Sequence, residues 1–222
     1  MEQSIAVLLW EPVACWASGL STDGVWRRDG PELPVEYSEA VKSSAEGRGS
    51  MLALTLRPGW KRSPVLWSMM ETGDTEEAVR ELAALRGEDE RIGIIDTTAP
   101  AAPAGSNILD TIWQWAEEVS RRSRRVDAVI WADGPTALHG ERWPSSRRLM
   151  DLLRNSTELE RRDTETYVRS TPAQLRTPLR DMMEREMGWT PFTMVERLAP
   201  LQVRHGGGSE RSKTELFNRT VP

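Results

Sequence analysis

Between Ile92 and Trp131 the sequence reads strand, helix, strand, and that order limits the fold more than any other stretch of the chain. Ile92–Asp96 (IGIID) and Val126–Trp131 (VDAVIW) are apolar runs of strand length, rich in β-branched residues. Between them Ile108, Ile112, Trp115 and Val119 recur at helical spacing after a cap at Ser106 or Asn107. Arg121, Arg122, Arg124 and Arg125 close that helix, where cations suit the helix dipole. Such a run is a candidate βαβ unit, with parallel neighbouring strands joined by a right-handed crossover. The expected class is therefore α/β: a small, mainly parallel or mixed sheet with flanking helices, followed by a helical C-terminal part.

The remaining segments extend this picture. Ser4–Trp10 is a short apolar strand, and Val25–Asp29 returns after the Ser21–Gly24 turn as the second strand of a hairpin. Tyr37–Ala45 reads as a weak helix, and Met51–Arg57 as a buried strand ended by Pro58-Gly59. Asp74 or Thr75 caps a helix whose apolar face is Ala78, Val79, Leu82, Ala83 and Leu85. After Gly134 the character becomes helical, over 145–154, 157–169 and 177–187. The last of these has Thr177 as cap, Pro178 in the first helical position and Gly188 past its end. The expected organisation is an α/β core over 1–144, a helical region packed on it over 145–204, and a Gly-rich mobile tail over 205–222.

Composition excludes several classes. The 222 residues are 38% apolar and 28% charged, which suits a globular fold, and no apolar run is long enough to span a membrane. A single cysteine, Cys15, rules out an internal disulfide or a cysteine zinc cage within one chain and fits a reducing, cytoplasmic setting. Glu2, and no basic residue before Ala6–Trp10, argues against a secretory signal. Arginine outnumbers lysine 26 to 3, the mark of G/C-rich coding of a bacterial type. Ten tryptophans exceed Phe and Tyr together, and Trp10, Trp16, Trp26, Trp60 and Trp67 crowd the first third. Most are expected in or beside the core, and the remainder in an aromatic pocket or partner surface. Charge is also divided: residues 1–119 carry 10 basic against 20 acidic residues, residues 120–222 carry 19 against 14.

No motif fixes a reaction or a cofactor. The topological expectation is a ligand beyond the carboxyl ends of the strands. Asp96 and Asp133 stand at two such ends, with Thr97, Thr98 and Gly134 beside them, and His139 follows as a candidate acid or base. Paired carboxylates there could divide acid and base roles. The plainer reading is that aspartate after a strand starts a turn through its own side chain. Cys15 is a candidate nucleophile only if His139 reaches it; a lone cysteine is more often a small buried apolar residue. His139 and His205 lack metal-ligand spacing, so no metal site is expected. Arg121, Arg122, Arg124 and Arg125, with the pairs Arg147–Arg148 and Arg161–Arg162, are a candidate anion-binding surface; around Arg161 and Arg162 the interleaved Glu158, Glu160, Asp163 and Glu165 favour a solvated, ion-paired face.

Three functional expectations follow. The favoured one is a non-catalytic binding or regulatory protein that meets a protein partner, or a second copy, through Trp-rich and Arg-rich surfaces. The alternative is a small-molecule hydrolase or transferase with the strand-end carboxylates as its site. The third is an Arg-mediated nucleic-acid binder, the least favoured.

Overall fold

The computed structural model describes residues 3–12, 19–42, 50–86, 92–98, 107–132 and 144–192. These belong to one unit, Met1–Phe192, and Thr193–Pro222 form a second that lies outside the described residues. The fold is α/β, with a mixed four-stranded sheet. Its strands are β1 (Ile5–Leu9), β6 (Leu66–Met69), β7 (Ile92–Asp96) and β8 (Ala128–Ala132), in the order β6-β1-β8-β7. Two small ribbons accompany it, β2 (Glu32–Leu33) with β5 (Ser63–Pro64) and β3 (Val35–Lys42) with β4 (Ser50–Leu56). The helices are α1 (Thr75–Arg86), α2 (Asn107–Arg122), α3 (Ser146–Asn155), α4 (Glu158–Ser170) and α5 (Pro178–Met187).

Strand β1 is apolar at every position because both of its faces are covered. Ile5, Val7 and Leu9 join Ala78 and Leu82 of α1 in one cluster. Ala6 and Leu8 join Ile112, Trp115, Ala116 and Val119 of α2 in another. A strand covered on both faces loses the polar-out alternation that would mark a half-exposed one. The second cluster runs on without a break through β3, β4 and the helices α3, α4 and α5.

Tryptophan fills much of this core. Trp10, Trp67, Trp115, Trp131 and Trp189 are all buried. Trp67 and Trp115 meet edge to face, with centroids 5.2 Å apart. Both indole N–H groups donate to Asp29, that of Trp67 to its carboxylate and that of Trp115 to its carbonyl. A buried indole needs such a partner, so one aspartate fixes two rings. Packing thus accounts for half of the tryptophan excess.

The sheet departs from the sequence reading in direction. β7 pairs antiparallel with β8, Asp96 opposite Ala128 and Ile92 opposite Ala132. The parallel neighbour of β8 is instead β1, with Ile5 opposite Ala128 and Val7 opposite Ile130. The strand–helix–strand run is therefore not a parallel βαβ unit. An apolar run of five residues reads the same in either direction, and only its neighbour fixes the sense.

Two further corrections are local. Residues 25–29 do not return on β1 as a hairpin: β1 is already flanked by β6 and β8. The 20–29 segment lies instead along the outer edge of β6, through bridges Thr22–Met70 and Arg27–Trp67. The segment expected as a helix from Tyr37 is part of β3, whose ladder with β4 shifts register between Tyr37 and Glu39. Tertiary packing overrides the weak helix propensity there. Tyr37 is fully buried and meets Tyr167 of α4 edge to face at 6.2 Å. Helix α4 also satisfies β4: Leu52 N–H donates to the Thr164 hydroxyl and Leu54 N–H to the Tyr167 hydroxyl, both at 3.3 Å. Two backbone donors of that strand edge are thereby taken up within the fold.

The helix ends follow their sequence signals. The Asp74 carboxylate accepts from Glu76 and Glu77 N–H. Thr157 and Glu160 form a reciprocal capping box, and Thr177 with Pro178 starts α5. Gly188 stops α5 at φ 74°, a left-handed conformation that glycine adopts without steric cost.

Gly93 is required by close approach. It stands opposite Trp131, and a Cβ there would lie 2.1 Å from the indole Cε2. Among the described residues the buried Trp131 indole N–H has no hydrogen-bond partner, and the ring packs in the core. Gly93→Ala is expected to destabilise the fold by about 1–3 kcal/mol through overpacking. The check is the urea midpoint at constant m-value; an unchanged midpoint would show that the indole moves freely aside.

Asp23 ties three elements together. Its carboxylate accepts from Arg27 at 2.8 Å, from Arg124 beyond the end of α2 at 2.7 Å, and from the Ser68 hydroxyl of β6 at 2.9 Å. Partial burial pushes its pKa up, but hydrogen bonds from Arg27, the Val25 N–H and Ser68, with the Arg27 charge, outweigh that and hold it well below the carboxylate range. A lowered folded pKa gives stability that is complete above the unfolded value, about 3.9, and is lost as pH falls below it. Asp23→Asn is expected to cost about 1–2 kcal/mol at pH 7. The gap to the parent should narrow between about pH 4 and pH 2, since only the parent loses the contribution there. Parallel stability–pH curves for parent and variant would contradict this.

Candidate functional site

Parallel strands that end side by side leave a crevice beyond their carboxyl ends, the usual ligand position in open α/β sheets. Here the pair is β1 and β8. β1 runs into Trp10-Glu11-Pro12, where proline ends the ladder. β8 ends at Ala132. Between them lies a shallow crevice, open to solvent and about 10 Å³ in volume, the space of a single water molecule, lined by Leu8, Leu9, Trp10, Glu11, Ala132 and Leu82 of α1. Its wall is apolar except for Glu11, which is only 4% exposed.

Asp96 lies at the far end of β8, opposite Ala128. Four residues of strand, about 13 Å, separate that end from Ala132. Asp96 is exposed, and its carboxylate accepts from the Thr98 hydroxyl at 2.6 Å and the Thr98 N–H at 2.8 Å, which lower its pKa in that order. Thr97 donates its hydroxyl to the Val126 carbonyl and its N–H to the Asp127 carbonyl. Asp96, Thr97 and Thr98 thus close a turn. The shared site expected for Asp96 and Asp133 depended on parallel neighbours, and the antiparallel register removes that premise. Asp133, Gly134, His139 and Cys15 lie outside the described residues.

The arginine cluster is engaged with acids. Arg121 pairs with Glu117 at 3.8 Å, Arg122 with Glu118, Arg124 with Asp23 at 2.7 Å and Arg125 with Asp127 at 2.6 Å. The first two pairs are spaced i,i+4 on α2, so the sequence already contained them. Among the described residues no group of three or more His, Cys, Asp or Glu side chains could hold a metal ion, and no helix is long and apolar enough to cross a membrane.

A second cluster of polar groups lies deep between β3 and α5. Glu36 is fully buried and accepts from the Tyr37 N–H at 2.9 Å, the Trp60 indole at 2.9 Å and the Leu179 N–H at 3.2 Å. Burial pushes its carboxyl above the ordinary value, against the downward pull of hydrogen bonds from the Thr177 hydroxyl, Tyr37, Trp60 and Leu179. Arg180, also fully buried, donates to the carbonyls of Pro172 at 2.7 Å, Leu175 at 3.0 Å and Thr171 at 3.1 Å. Its Nε reaches Glu184 at 3.2 Å. Burial raises the Tyr37 hydroxyl to about 12. Neither Glu36 nor Arg180 is open to solvent, so this cluster fastens α5 and its preceding connection rather than meeting a ligand.

Sequence reasoning passed over Glu11, Glu36 and Arg180. For Glu11 a signal existed: a carboxylate directly after an apolar strand and before proline. For Glu36 and Arg180 none did, because a charged residue in a mixed-sign stretch looks solvated until its neighbours are known. Comparison with known proteins finds no match for this chain, whether among family models, curated proteins or solved structures.

Proposed function

We propose that this protein binds a small molecule on the surface over the shallow crevice at the carboxyl ends of β1 and β8. The observation that carries the reading is the parallel pair ending together on a concave, mainly apolar wall whose lining residues include the buried Glu11. The order of residues supports it. The chain runs from Glu11-Pro12 towards Cys15 and from Ala132 directly into Asp133-Gly134, so candidate chemistry follows both strands in sequence. A reaction on the bound molecule, of the hydrolase or transferase kind, is the natural extension, in a reducing compartment such as the cytoplasm that suits a single cysteine.

The test is native mass spectrometry on the 25.1 kDa chain purified gently from its producing cells, as parent and as Ala132→Leu. The larger side chain fills the crevice from the end of β8. A small-molecule mass on the parent, absent from the variant at equal folded content, is the expected result. A retained protein or second copy on both forms would instead favour surface-mediated association, for which the half-exposed Ile94 and Val25 offer apolar contacts.

A further inference from the structure

We draw no further inference here: the strongest candidate, the buried polar cluster of Glu36, Trp60, Thr177 and Arg180 between β3 and α5, makes its hydrogen bonds within the fold, and a switching role for it would rest on the raised pKa of Glu36 alone.

Discussion

Glu36→Ala is expected to lower stability by about 3–5 kcal/mol, through several orphaned donors and a cavity. The substitution leaves the Trp60 indole N–H, the Leu179 N–H and the Thr177 hydroxyl without their acceptor. Each buried donor so abandoned costs about 1–3 kcal/mol, and the missing side chain adds a cavity. For a chain of this size the melting temperature should fall by roughly 10 °C. Glu36→Gln keeps the volume and one acceptor oxygen and should lose only about 1–2 kcal/mol. The two variants together separate hydrogen bonding from space filling. An alanine variant within 1 kcal/mol of the parent would mean that water enters and replaces the carboxylate.

Arg180→Ala should have an effect of similar size, about 3–5 kcal/mol, by the opposite route. There the acceptors are orphaned: the carbonyls of Thr171, Pro172 and Leu175 in the α4–α5 connection lose the guanidinium that joins them. Glu184 keeps Arg176, which holds it at 2.7 Å. Arg180→Lys should recover little, since one ammonium cannot reproduce a planar fork reaching several carbonyls. Chemical denaturation of the alanine and lysine variants gives the check, and full rescue by lysine would contradict the fork geometry. Glu36 and Arg180 both act at the start of α5, through Leu179, Thr177 and the preceding connection. The double variant is therefore expected to cost less than the two single losses combined.

These residues also show what a sequence can and cannot disclose. Helix α5 was legible from its ends, because capping is local: Thr177-Pro178 and Gly188 act within a turn of their own backbone. Ser145 and Thr157 with Glu160 do the same at the starts of α3 and α4, where the sequence reading drew the helices without naming their caps. Strands β1, β4, β7 and β8 were legible as short apolar runs. Their partners were not, since β1 and β8 meet across more than a hundred residues and nothing in either run encodes that choice. The error over β7 followed from this, and with it the premise of a shared site for Asp96 and Asp133. β3 was misread because its apolar–polar alternation holds only over Val35–Ser38 and breaks at the register shift between Tyr37 and Glu39. The pairing of Arg121 with Glu117 and of Arg122 with Glu118 was present in the sequence as an i,i+4 spacing on α2, a signal the reading of these arginines as an anion-binding surface did not use.

The central claim concerns where a ligand sits, and methyl NMR tests it most directly. The protein, labelled at Leu, Ile, Val and Ala methyls, is titrated with a metabolite extract of its producing cells. Shifts at Leu8, Leu9, Leu82 and Ala132, with Leu33 and Leu149 unmoved, are the predicted result; these last two are fully buried and do not line the crevice. Shifts at Ile94 or Val25 while the four crevice residues stay fixed would contradict it and move the functional surface to the outside of the sheet.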